Sequence, residues 1–404
     1  LNTKSQLFLD KFVAKPIAYI LNFFVRFLGK ILFINHDLKK DFRTIAICKF
    51  KGMGSIIQAT PLLLSLKKKY PSAQLIFVST TVNKTILETI KPIDKVVLLN
   101  DSGMFNFLIS CSKSLFTLIR IRPQIFIDLE IYSDFSTLFT LFTLSKNRIG
   151  FYLRSSSFRM GIYTHMMFFN SKLPVANVYL QIAKLLNCDT DNPKLYDFST
   201  VDSLPDFVPT NYIVINPNAS DLRLERRWEA SNFVSLINQL LTEFVDYNIL
   251  LIGSKNELEY TQQIHKETKN KRVINTAGST NLPELISIIK NATLMISNDT
   301  GPMHLAFATN TPIVCLFGPC SPEQYGKSTN SYIIYKQVYC SPCVHDFEQA
   351  PCKGNNVCMK LISTKEVFSL VSAIIKKQEP KTYSSLSPVI YDIPGQSTLG
   401  IVNR

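Results

Sequence analysis

Tryptophan and histidine are scarce, with one Trp and five His among 404 residues. So few histidines leave little material for a multi-histidine metal centre. Acidic residues are also in deficit, 30 Asp plus Glu against 44 Lys plus Arg, for a net charge of +14. Such an excess calls for an anionic partner, whether nucleic acid, an anionic membrane or a phosphorylated substrate, and composition does not choose among them. No recognisable DNA-reading helix or RNA motif is present, which weighs against a nucleic-acid partner. Long apolar runs are missing at the N-terminus: no charge-free stretch within residues 7–34 reaches the ~18 residues of a spanning helix. No signal peptide is evident, and the nine cysteines are odd in number, so a reducing, cytoplasmic setting is expected. The chain begins with Leu rather than Met, which leaves its true start open.

What remains is ample for a folded core. Apolar residues make up 46% of the chain, and at ~100–200 residues per domain the length suits two domains. Residues 7–34 read "LFLDKFVAKPIAYILNFFVRFLGKILFI". Pro16 suits a first helical turn. Asn22, Arg26 and Lys30 recur every fourth residue and form one narrow polar stripe on an otherwise apolar helix. Two placements fit: a helix lying in a membrane interface, or one packed on the first domain through its wide apolar face. Residues 36–42, "HDLKKDF", read as a linker.

Apolar strands then alternate with amphipathic helices. "TIAICKF", "AQLIFVST", "DKVVLL" and "PQIFIDLE" are strands of a first parallel sheet. "FSTVDSLPDFVPTN" (198–211) is a linker with two Pro and no periodicity. The rhythm restarts with "YIVINP", "NILLIG", "RVINTAG", "TLMISN" and "PIVCLFG". The expected organisation is a segment at 1–42, domains at 43–205 and 206–376 with a Cys-rich loop at 340–358, and a polar tail at 377–404.

Between the last two of those strands lies "SNDTGPMHLAF". Asp299, Thr300, Gly301 and Pro302 sit where a strand ends and a helix begins, with His304 one turn in. Ligands gather at the carboxyl ends of strands in open α/β sheets, and a helix N-terminus offers unpaired N–H groups to phosphate. The plainer alternative is an ordinary turn capped by Asp or Thr.

"SNDTGPMHLAFATNTPIVCLFGP" resembles the signature of glycosyltransferase family 9, the heptosyltransferase group. "INPNASDLRLERRWEASNFVSLINQL", "LLIGSKNE", "NTAGSTNLPELISIIKNATLMISNDTG" and, in the first half, "GMGSIIQATPLLLSLKKKYPSAQLIFVST" and "IDLEIYSDFSTLFTLFTLSKNRIGF" are similar to the family as well. The resemblance covers roughly residues 44–376. It implies an α/β GT-B architecture, two Rossmann-like domains facing a central cleft, and an inverting transfer that requires no metal cofactor. The implied donor is a nucleotide-diphosphate sugar, ADP-heptose as the first guess. The implied acceptor is a hydroxyl on a lipid-linked glycan, met by a peripheral enzyme at the inner face of the cytoplasmic membrane.

Without a metal, charge on the leaving diphosphate must be met by backbone N–H groups and cationic side chains. Thr300 and Gly301 supply the former, and Arg226 and Arg227 are candidates for the latter, unless "RLERR" is a solvated charge run. Glu257 is a candidate for the nucleoside ribose or a helix-start acid. One departure matters: the family's Gly-Asp pair, whose Asp resembles a base for the acceptor hydroxyl, is Gly54-Ser55 here. Glu130, with Asp128 beside it at the end of "PQIFIDLE", is the expected replacement base. Arg154, Arg159, Tyr163 and His165 in a basic, aromatic stretch are candidates for the acceptor side.

Cys340, Cys343, Cys352 and Cys358 form a C-x2-C pair followed by two more thiols, a set suited to structural zinc or an iron–sulfur cluster, or else a loop of plain thiols. Two rival functions stay open: a binding protein that keeps the donor site without turnover, and a metal-dependent nucleic-acid binder.

Overall fold

The computed structural model describes residues 9–378 except 154–157, 192, 202, 221–222, 327, 345 and 348–349. The chain divides into two compact units, Leu1–Phe198 and Ser199–Arg404.

The first unit carries strands β1 (Thr44–Cys48), β2 (Gln74–Thr80), β3 (Lys95–Leu99), β4 (Ile125–Asp128), β5 (Asn147–Tyr152) and β6 (His165–Phe168). Its helices are α1 (Lys15–Leu32), α2 (Met53–Gln58), α3 (Thr60–Lys69), α4 (Lys84–Glu88), α5 (Met104–Ile121), α6 (Asp134–Phe142) and α7 (Val175–Leu185). The sheet is parallel in the order β3-β2-β1-β4-β5-β6. Strand order reverses between β1 and β4, so the loops that follow these two strands leave toward opposite faces and open a crevice between them. Ala46, Cys48, Ile76, Val78 and Phe126 pack one sheet face against α5 and α6. Strands covered by helices on both faces need apolar residues at nearly every position. That is why "IAIC" and "LIFV" are continuous apolar runs rather than alternating ones.

The second unit repeats the plan. It has β7 (Tyr212–Asn216), β8 (Asn248–Leu251), β9 (Val273–Asn275), β10 (Leu294–Asn298), β11 (Ile313–Phe317) and β12 (Ser331–Tyr335). Its helices are α8 (Ala230–Glu243), α9 (Leu258–Thr268), α10 (Leu282–Asn291), α11 (Gly301–Ala308), α12 (Pro322–Tyr325), α13 (Val357–Lys360) and α14 (Thr364–Ile375). The order β12-β11-β10-β7-β8-β9 puts the reversal between β7 and β10. Asn281 and Glu284 form a reciprocal capping box that starts α10 where the sequence changes period.

Three strands fell outside the periodic reading. β5, β6 and β12 are short and polar-flanked, and β6 lies inside the stretch read as an acceptor-facing loop. The N-terminal helix also differs from expectation. α1 does pack on its unit, but not through its wide apolar face. Ala14 and Ala18 meet Leu138, Phe158 and Ile162, with Asn22 of the stripe half-buried and Arg26 and Lys30 exposed. Arg26 Nε donates to the Met160 carbonyl at 2.9 Å. Gly161 sits at φ +106°, where a Cβ would stand 2.6 Å from Arg26 Cγ, so the close approach needs glycine.

Candidate active site

The donor-side residues gather at the β7/β10 reversal. Asn216, at the end of β7, donates through Nδ2 to Ser297 Oγ at 3.0 Å and to Thr300 Oγ1 at 2.6 Å. Asn298, at the end of β10, donates back to the carbonyls of Pro217 and Asn218 at 2.9 and 3.0 Å. Its Oδ1 accepts from the Trp228 amide at 3.2 Å. The sole tryptophan is fully buried and donates from Nε1 to the Ile362 carbonyl, which pins the far end of the loop. Side-chain amides can donate and accept at once, so asparagines at adjacent strand ends can staple two loops that have no ladder of their own. The three asparagines were not singled out from sequence, although "INPN" and "SND" both place them at strand ends.

Thr300 accepts from Asn216 through its hydroxyl and makes no side-chain cap to α11, so its own side chain leaves the first amides of that helix uncapped. These amides and the dipole behind them suit an anion. Arg226 lies beside them, its Nη1 3.4 Å from Asp299 Oδ2 and 3.4 Å from the Asp299 carbonyl. Burial works against its charge, yet Asp299 holds its pKa above the ordinary value. Arg226 Nε is buried without a hydrogen-bond partner, and so is Asn218 Oδ1. A Cβ on Gly253 would come within 2.7 Å of Asn218 Nδ2, so glycine after β8 leaves room for that amide.

The other residues expected on the donor side have partners within the protein. Arg227 stacks over the Tyr260 ring at 3.9 Å, away from Asp299. Asp299, 4% exposed, is turned to Arg226 rather than outward. Glu257 caps its own helix, accepting from the Ser254 amide at 2.7 Å in a capping box. His304 is buried edge-on to Phe307 and Tyr325, and burial lowers its pKa to about 4, so it is neutral at pH 7.

In the first unit, Glu130 and Asp128 do lie beside the loop that follows β1. Glu130 Oε2 accepts from Lys49 Nζ at 2.9 Å, and Oε1 accepts from the amides of Phe50 and Lys51 at 2.7 and 2.9 Å. Burial opposes its charge, but Lys49 and those amides prevail and lower its pKa. Asp128 is fully buried. It accepts from Ser136 Oγ at 2.7 Å, from the Glu130 amide at 2.8 Å and from the Tyr163 hydroxyl. Glu130 holds Lys49 and the loop after β1, and Asp128 holds Tyr163; burial raises the pKa of Asp128 above the usual carboxylate range in spite of those donors. Ser55, half-buried in the first turn of α2, hydrogen-bonds the Tyr179 phenol, whose pKa burial raises to about 12.

The acceptor-side expectations are corrected in part. Arg159 is 1% exposed and donates to the carbonyls of Glu130 and Ser133 at 3.0 and 2.6 Å, bracing the loop after β4 from within. Tyr163 is buried against Asp128, so neither side chain faces solvent. His165 stands on the edge strand next to Thr164 and under the influence of His36. Arg154 lies outside the described residues.

The four clustered thiols line one enclosed cavity of about 10 Å³ with Pro319 and Val338. Burial first, then the neighbouring thiols, raise the pKa of Cys343 to about 11 and of Cys358 to about 12. Among the described residues no three of His, Cys, Asp or Glu stand in metal-ligand geometry.

Two parallel Rossmann-like units, each with a reversal in strand order, have the GT-B fold. The model of glycosyltransferase family 9 (heptosyltransferase) matches residues 136–353, and the chain belongs to that family. Lipooligosaccharide heptosyltransferase 2 of Campylobacter jejuni is 23% identical over 330 residues, covering 80% of this chain and 96% of the relative. The structure of Escherichia coli ADP-heptose LPS heptosyltransferase II superposes with TM-score 0.66 at 19% identity, over 83% of this chain and 99% of that one. The family 9 glycosyltransferase of Veillonella parvula gives TM-score 0.67 at 19% identity, over 85% of this chain and 100% of that one.

Proposed function

We propose that this glycosyltransferase moves heptose from ADP-heptose to a hydroxyl of a lipid-linked glycan, in lipopolysaccharide or lipooligosaccharide synthesis at the cytoplasmic face of the membrane. The observation that carries the reading is the convergence of the uncapped α11 N-terminus with Arg226 at the β7/β10 reversal. There the developing negative charge on the leaving diphosphate meets backbone amides and a guanidinium already fixed in place. The transfer inverts the sugar carbon and needs no metal ion. The acceptor hydroxyl docks at the first turn of α2, at Ser55, next to the loop that Glu130 holds through Lys49 and the amides of Phe50 and Lys51.

Incubation with a panel of nucleotide sugars and a heptose-deficient glycolipid, read as nucleotide release and acceptor mass, tests this. ADP-heptose should be turned over in preference to UDP- and GDP-sugars. Tight nucleotide binding without release from any donor would favour a non-catalytic sugar-nucleotide binder instead.

The donor chemistry of Cys340, Cys343, Cys352 and Cys358 fits a soft cation. Four thiols around one small cavity, held protonated by burial and by each other, would ionise around a central positive charge. The ion would close the loop after β12 and take no part in transfer. Metal analysis of protein purified without chelator should find about one equivalent of zinc or at least that of iron, and a markedly lower content would overturn this assignment.

A further inference from the structure

The outer side of the first unit carries an apolar surface that the transfer reaction does not use. α5 and α6 cover one face of the sheet through a shared core, and α1 packs on α6 through a second core. Phe135 of α6 touches both cores, so the three helices follow one another on that face. Their outward sides are bare. Phe23, Phe24 and Phe27 of α1 are 68%, 52% and 56% exposed, and Phe105, Leu108 and Phe116 of α5 are 75%, 56% and 67% exposed. Exposed apolar side chains grouped in this way mark a binding surface.

Two features say what covers it. First, neither α1 nor α5 contains an acidic residue, while Lys15, Arg26, Lys30, Lys113 and Arg120 lie on them. Exposed aromatic and aliphatic residues on two helices that carry cations and no acid suit an anionic lipid surface. Secondly, both helices are long and apolar enough to cross a bilayer by composition, with mean hydropathy 1.4 and 1.3, yet α5 joins two strands of the same sheet and α1 is tied down through Arg26 and Ala18. They can lie on a membrane but not thread through it. The orientation of α1 is the telling detail. Arg26 of its polar stripe is bonded to the Met160 carbonyl, Lys30 is exposed, and its broad apolar side is left uncovered.

We propose that α1, α5 and α6 together form a preformed docking face for anionic lipid. α5 begins at the carboxyl edge of the sheet, the same edge from which the β1 and β4 loops leave, so its first turn, with Phe105 and Leu108, sits at the acceptor-side rim. The face therefore sets the acceptor loop beside the bilayer in which a lipid-linked acceptor is dissolved. This rests on the glycolipid-acceptor reading above, but the surface can be tested without donor or acceptor.

The test is flotation of the full chain with phosphatidylcholine vesicles, with and without about 30% phosphatidylglycerol. The native protein should float with the anionic vesicles. The double variant Phe27→Ser/Phe116→Ser should partition at least about tenfold more weakly, as expected when two exposed rings no longer leave water. Lys113→Glu/Arg120→Glu should lose the preference for anionic lipid. Val245→Ser, at an exposed apolar site of the second unit, should behave as native. Equal partitioning of native and Phe variants would overturn the proposal. So would a dimer in sedimentation velocity that the Phe variants abolish while vesicle binding persists, for then the face pairs two copies. All these side chains are exposed, and coincident thermal melts establish that the variants fold. Calorimetric ADP binding, run in parallel, separates the two readings: lost flotation with intact ADP binding sinks only the lipid face, and the converse sinks only the donor site.

Discussion

Replacing Arg226 probes the donor site at its most informative point. Its guanidinium is 3.4 Å from the buried Asp299 carboxylate and keeps Nε free of any hydrogen-bond partner. Arg226→Met removes a charge-assisted contact to diphosphate, each such bond being worth about 1.5–3 kcal/mol, so ADP affinity should fall by roughly 10- to 150-fold. Arg226→Lys keeps the charge and loses the planar fork, for a smaller loss of about tenfold. The Met variant also strands Asp299 at 4% exposure, at a cost of about 1–3 kcal/mol in stability, visible as a lower urea midpoint. Calorimetric titration with ADP at fixed salt, paired with urea melts, separates the two effects. Binding by Arg226→Met within about threefold of native would refute the reasoning, because no fixed cation would then be meeting the diphosphate.

The acid limb of stability should report His304. Its folded pKa of about 4 lies below the ordinary value, so the unfolded chain binds the extra proton between them. The contribution is complete above about pH 6.5 and fades as pH falls toward 4, roughly 3 kcal/mol in all. His304→Gln should flatten the pH dependence of the urea midpoint in that window, and an unchanged slope would contradict the burial argument. Glu130→Gln should destabilise by about 3–5 kcal/mol by leaving Lys49 buried and unpaired, whereas Glu130→Gln/Lys49→Met should recover part of that loss in the same melts. Additive single losses would show that the pair does not act as a unit. Gly150→Ala should cost about 1–3 kcal/mol by overpacking, since its Cβ would stand 2.6 Å from the Tyr163 ring that Asp128 holds.

Much of the fold was legible because strands covered on both faces announce themselves as apolar runs. "TIAIC", "LIFVST" and "IVCLF" could hardly be anything else. The donor loop was legible too, since Asp-Thr-Gly-Pro after such a run marks a strand-to-helix turn. Chemistry in the first unit was less so. Residue type does not say on which side of a short strand a carboxylate emerges, and the partners that enclose Asp128 come from the loop after β4, from α6 and from the segment before β6. Arg159 reads as a surface cation until its carbonyl partners are known. The α1 stripe was visible at every fourth position, but periodicity shows that a helix has two faces without showing which one meets the protein.

A co-crystal structure with ADP or a non-hydrolysable ADP-sugar tests the central claim most directly. The account predicts the diphosphate within hydrogen-bond reach of the Thr300 and Gly301 amides and of Arg226, at the reversal between β7 and β10. Nucleotide seated away from that helix end, with Arg226 still turned only to Asp299, would contradict it.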